Sequence, residues 1–191
     1  VDMALGGSTN SVLHLLAIAQ EAGVRLTLPD VNGLSARTPH LCRMSPAAGG
    51  HHVEDLDRAG GIQAVMHRLL DGGLLDGGAL TATGKTMAEN VVAATVCNDK
   101  VIRRLDEPYS PRGGLAILFG NLAPEGAVVK IGGIVPGMRR HTGPARIYES
   151  QDAAMTGILA SEVQAGDVVV IRYEGPRGGP GTVSYTHLRA H

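Results

Sequence analysis

The hydrophobic period of this chain changes once, and that change limits the folds open to it. Up to about Ala79 the apolar residues recur at helical spacing; beyond it they fall into short runs rich in β-branched residues, separated by Gly and Pro. Ser11-Val12-Leu13-His14-Leu15-Leu16-Ala17-Ile18-Ala19-Gln20-Glu21-Ala22 stops at Gly23, a favourable helix-terminating residue, and predicts a largely buried helix. Val24 to Leu28 reads as a short strand, and Asp30 to Met44 as an irregular or partly helical connection. Glu54 to Gly61 leads into a second amphipathic helix, Ile62 to Leu70. Gly72-Gly73 and Gly77-Gly78 bracket a passage suited to a domain boundary near Ala79. Leu115 to Gly120, Ala127 to Ile131, Ala145 to Tyr148 and Asp167 to Tyr173 then read as strands, with a helix at Ser150 to Leu159. The expected architecture is a mainly helical part followed by a β-barrel-like domain with one or two helices.

Composition removes several function classes. Apolar residues make up 43% of the chain, enough for a packed core. Aromatics are 3%, with no Trp, which disfavours base- or sugar-stacking surfaces. The net charge is -1 and the basic residues are dispersed, so the electrostatic footprint of a nucleic-acid binder is missing. No apolar run reaches the roughly 18 residues of a membrane span, and no signal peptide is visible. Cys42 and Cys97 lie too far apart for a zinc or iron–sulfur motif and read as reduced structural thiols of a cytoplasmic protein.

Gly6-Gly7-Ser8-Thr9-Asn10 stands directly before the first helix. Free N–H groups and the helix dipole favour an anion there, glycine lets a ligand approach the backbone, and Ser8 and Thr9 add hydroxyl donors. The same residues also serve as simple helix caps, and both readings stay open. Gly84-Lys85-Thr86 resembles the end of a P-loop, but the required earlier glycine falls on Ala79, so the pattern fails. His51-His52-Val53-Glu54-Asp55 gathers two imidazoles and two carboxylates, yet it lacks an i, i+4 histidine pair and suits local capping better. Glu174 to Gly181 is a glycine-proline loop after a strand, suited to bringing backbone close to a ligand, with Arg172 and Arg177 as partners for a carboxylate. Thr182 to His191 has neither apolar periodicity nor turn chemistry and resembles vector read-through, and Val1 is no start methionine. The expectation is an internal fragment with a non-native tail.

Taken together, four stretches resemble the dihydroxy-acid and phosphogluconate dehydratase family. They are Met3 to His14, His52 to Gly61, Gly113 to Gly126 and Arg172 to Gly181, in the family's order. The resemblance implies an α/β fold. Residues 1–78 would be the C-terminal slice of an N-terminal α/β/α domain, 79–181 a truncated β-barrel-like domain, and 182–191 a non-native tail. It also implies loss of water from a 2,3-dihydroxy acid to give a 2-keto acid, as in valine and isoleucine synthesis, in a cytoplasmic homodimer. Thr38-Pro39-His40-Leu41-Cys42 and the Gly120 to Gly126 segment favour that branch over a sugar-acid dehydratase. In the family an iron–sulfur cluster acts as Lewis acid beside a magnesium ion. Its cysteines, acidic magnesium ligands and modified lysine fall before Val1 in the pattern, and a further carboxylate and the serine base fall beyond Gly181. No catalytic or metal residue is therefore expected within the chain, which alone should be inactive. The substrate-contacting candidates are Gly7, Ser8, Thr9, Asn10, Gly178 and Gly179. From a different class, a non-catalytic small-molecule-binding module remains the alternative.

Overall fold

The computed structural model describes residues 1–46 and 50–174, and divides into two compact units, Val1–Ile134 and Val135 onward. Among the described residues the first unit carries six α-helices: α1 (Asp2–Leu5), α2 (Thr9–Glu21), α3 (Leu28–Arg37), α4 (Val53–Arg58), α5 (Gly61–Asp71) and α6 (Met87–Val91). They are followed by strands β1 (Leu115–Gly120) and β2 (Ala123–Lys130). The second unit holds β3 (Ala145–Tyr148), α7 (Gln151–Leu159) and β4 (Val168–Ile171). This is a mixed α/β fold; among the described residues the strands form two small sheets and close no barrel.

Side-chain caps set several helix starts. Thr27 receives the Asp30 N–H while Asp30 Oδ2 accepts the Thr27 N–H at 2.8 Å, a reciprocal box with Pro29 in the first turn of α3. Thr86 and Glu89 repeat the box for α6, so the Gly84-Lys85-Thr86 sequence that imitates a P-loop builds a helix start instead. In His51 to Asp55 the Asp55 carboxylate accepts the His52 N–H at 2.8 Å, the local capping expected of that cluster.

Two aliphatic cores support the first unit, as the scarcity of aromatics requires. One packs Leu41, Cys42, Leu56, Val65, Leu69 and Ile102 around α4 and α5. The other packs Met3, Val12, Val31, Leu115 and Ile117, setting α2 and α3 against the β1–β2 hairpin. The hairpin is antiparallel, with Leu115 opposite Lys130 and Ile117 opposite Val128. Asn32 clamps it to α3: its Nδ2 donates to the Ile117 carbonyl at 2.8 Å, and the Ile117 N–H donates to its Oδ1 at 2.7 Å.

Two sequence expectations fail locally. Val24 to Leu28 is no strand; the residues lead into α3, because the Thr27–Asp30 cap outweighs a short apolar run. α2 is not largely buried either: only Val12 and Ala19 are buried, while Leu13, Leu15 and Ile18 are exposed.

In the second unit β3 and β4 pair in parallel, Ala145 opposite Val168, with α7 as the connection that parallel strands require. The well-buried Asp167 carboxylate accepts from Arg146 Nε at 2.8 Å and from the Gln164 N–H at 2.9 Å.

Candidate functional site

The turn from Gly6 to Asn10 is the best-defined candidate among the described residues. α1 ends at Gly6 in the left-handed region, φ +61°, and the Gly7 N–H donates to the Asp2 carbonyl at 3.1 Å. Ser8 is the N-cap of α2, its hydroxyl accepting the Asn10 N–H at 3.2 Å. Thr9 and Asn10 open the helix. Among the described residues the Ser8 and Thr9 amides make no hydrogen bond, so both readings of the sequence coexist: Ser8 caps, and two N–H groups stay available at a helix start.

Long-range contacts fix this turn. The Gly114 N–H donates to the Met3 carbonyl at 2.9 Å, and the Leu41 N–H donates to the Ala4 carbonyl at 2.8 Å. A Cβ on Gly6 would stand 2.5 Å from His40 Nε2, and one on Gly114 would collide with Gly6 Cα, so the backbones approach as only glycine allows. His40 is buried, 4% exposed, and desolvation followed by the Arg43 charge pushes its imidazole below its ordinary pKa. Beside Gly7 lies the half-buried Asp2. Its Oδ1 accepts the Ser11 hydroxyl at 3.3 Å, while Oδ2 is enclosed without a partner. Burial raises the Asp2 carboxyl, against the opposing effects of Ser11, the Val1 amino group and Lys130. His40 and Lys130 were invisible as site neighbours in the sequence because tertiary pairing, not sequence proximity, brings them to the turn, and Asp2, though local, carries no motif of its own. Only the glycine signal at Gly6-Gly7 pointed there.

The other sequence candidates fall elsewhere. Gly178, Gly179 and Arg177 lie outside the described residues, as does the 182–191 tail. Arg172 is already engaged: its guanidinium forks onto the Glu149 carboxylate. Glu174 caps α7, accepting the Gln151 N–H at 2.8 Å. A pocket of about 210 Å³ beside α5 is lined by His67, Arg68 and Asp71. Its polar groups already have partners, with Arg68 on Asp99 at 2.8 Å, His67 Nδ1 on the Ala94 carbonyl and His67 Nε2 3.6 Å from Asp71 Oδ1.

Cys42 sits in the core, where burial pushes its thiol up to about 12, whereas cluster ligation needs thiolate. Cys97 is exposed. Among the described residues no three His, Cys, Asp or Glu side chains converge, so by themselves these residues do not fit an iron–sulfur cluster or a magnesium ion. No helix among them is long and apolar enough to cross a membrane.

A glycine turn with free amides at a helix start can receive a small anion. Sequence profiles sharpen this: the Dihydroxy-acid/6-phosphogluconate dehydratase N-terminal description matches residues 1–90, and the corresponding C-terminal description matches residues 100–190. The chain belongs to the dihydroxy-acid/6-phosphogluconate dehydratase family. It is 59% identical over 181 residues to a dihydroxy-acid dehydratase of Moorella thermoacetica, covering 95% of this chain and 33% of that protein. A dihydroxy-acid dehydratase of Carboxydothermus hydrogenoformans is 60% identical over 181 residues, again 95% of this chain and 32% of that protein. The chain thus spans about a third of the length of the curated relatives it matches.

Proposed function

We propose that this chain is part of a hydro-lyase that dehydrates a 2,3-dihydroxy acid to a 2-keto acid, in the branch serving branched-chain amino-acid synthesis. The observation that carries the reading is the 59% identity over 181 residues to a relative named for that activity. The turn from Gly6 to Asn10 supports a substrate contact. The Gly7 backbone, the Ser8 and Thr9 amides without partners among the described residues, the Thr9 hydroxyl and the Asn10 side chain would meet a carboxylate or hydroxyl, while the space a Cβ would take at Gly7 is filled by the Asp2 carboxylate. Gly178 and Gly179 belong to the same proposed contact set. The domain division proposed from the sequence, with the junction beginning near Ala79, assigns this turn to the N-terminal domain.

The cluster and magnesium ion of the complete enzyme would be held by residues other than those described here, and the chain by itself would be inactive. A homodimeric, cytoplasmic enzyme acting on a small acid is the corresponding assembly. The test is a hybrid in which the matched segment of the Moorella thermoacetica relative is replaced by its counterpart from this chain. Turnover of 2,3-dihydroxyisovalerate in preference to 6-phosphogluconate is expected, with KM raised about tenfold or more by Thr9→Ala or Asn10→Ala. Preference for the phosphorylated sugar acid would place the chain in the sibling branch.

A further inference from the structure

Asp2 bonds to both sides of the candidate turn. Its backbone carbonyl accepts the Gly7 N–H at 3.1 Å, and its Oδ1 accepts the Ser11 hydroxyl at 3.3 Å, from the first turn of α2. A Cβ at Gly7 would coincide with Asp2 Oδ1, so the carboxyl lies against the middle of the turn and only a glycine leaves room for it. The other residues of α1 are committed elsewhere. Met3 and Ala4 are buried in the two cores and Leu5 packs against one of them, whereas Asp2 belongs to neither. Among the described residues its side chain has no hydrogen-bond partner except Ser11, and Oδ2 is enclosed without one. Such an arrangement costs stability, since an enclosed oxygen gives up water without replacing it. Burial also opposes ionisation of this carboxyl, so the turn draws on its shape and its acceptor rather than its charge.

We infer that Asp2 is a positioning residue: through Gly7 and Ser11 it ties the end of α1 to the first turn of α2 and sets where the Ser8 and Thr9 amides are presented. This role rests on the substrate contact proposed for the turn and supplies the group that holds it in place. Ser8 and Thr9 lie between the two bonds, so releasing either one loosens the segment that carries the amides. The bond from the Ser11 N–H to the Ser8 carbonyl, 3.1 Å, would loosen with it.

Hydrogen exchange in the whole 191-residue chain tests the clamp without turnover. Asp2→Ala and Ser11→Ala should each lower the protection of the amides at positions 7 and 11 by about fivefold or more, with the buried Val65 and Leu69 amides unchanged. The double variant should add little to either single one, because both remove the same contact. Asp2→Asn keeps the shape and the acceptor, and its protection should stay within about twofold of the unaltered chain. In the hybrid with the Moorella thermoacetica relative, Asp2→Ala should raise KM for 2,3-dihydroxyisovalerate by about tenfold with kcat within about threefold, and Asp2→Asn should bring KM back to within about threefold of the parent hybrid. Unchanged protection in Asp2→Ala, an equal loss at Val65 and Leu69, or a kcat that falls while KM holds would each overturn the role. An Asn variant as impaired as the Ala one would do the same. A hybrid that turns over neither acid would count against the proposed reaction, and exchange in the chain would still decide whether Asp2 holds the turn.

Discussion

Alanine at three glycines separates the forces that hold the candidate turn. Gly6 has φ +61° and its added Cβ would stand 2.5 Å from His40 Nε2; Gly23 has φ +66° with nothing within 4 Å; Gly33, inside α3, also has open space. At Gly23 only the left-handed backbone is penalised, about 1–2 kcal/mol. At Gly6 the same strain is joined by overpacking. A carbon–nitrogen contact wants about 3.5 Å, so roughly 1 Å must be found against a buried imidazole, which typically costs 1–3 kcal/mol more. At Gly33 alanine should stabilise by about 0.5–1 kcal/mol, since glycine is a poor helix interior residue. Urea denaturation of the three variants at neutral pH reads the order: Gly6→Ala loses about 2–5 kcal/mol, Gly23→Ala about 1–2, and Gly33→Ala gains. A total stability of about 5–15 kcal/mol leaves Gly6→Ala measurable. If Gly6→Ala costs no more than Gly23→Ala, His40 does not pack against the turn and the geometry of the site is wrong.

Asn32→Ala removes both partners of the Ile117 backbone. It should cost about 2 kcal/mol or more, with faster hydrogen exchange at the Ile117 amide as the specific signature; an unchanged exchange rate would count against the clamp. The depressed His40 pKa means the unfolded chain binds a proton that the folded chain refuses. Stability should therefore fall as pH drops below about 6.5, and His40→Gln should flatten that part of a urea-midpoint profile if it folds. Cys42, with its thiol pushed up to about 12, should resist iodoacetamide at pH 8 in the native chain while Cys97 reacts; mass spectrometry of the alkylated peptides decides it.

Local chemistry was legible in the sequence wherever one segment decides its own structure. The helix ending at Gly23, the α5 helix, the α7 helix and the strands at Leu115 and Ala145 follow from period and punctuation, and the His52–Asp55 cap follows from residue type. Val24 to Leu28 failed for a local reason as well, because a cap at Thr27 fixes the backbone more firmly than an apolar run of that length does. What the sequence could not convey is which segments meet. Gly6 and Gly114 are separated by more than a hundred positions, yet each is glycine because of the other and of His40. In the sequence they look like ordinary turn residues.

The exposed side of α2 shows the same limit. The apolar spacing from Val12 to Ala22 reads as a largely buried helix, yet Leu13, Leu15 and Ile18 are exposed, because a period reports that residues are apolar and not which segment packs on them. The Ser8 and Thr9 amides, which make no hydrogen bond among the described residues, stand at the start of that helix. There the sequence shows donors through their place before a helix, while their partners depend on contacts that no local pattern encodes.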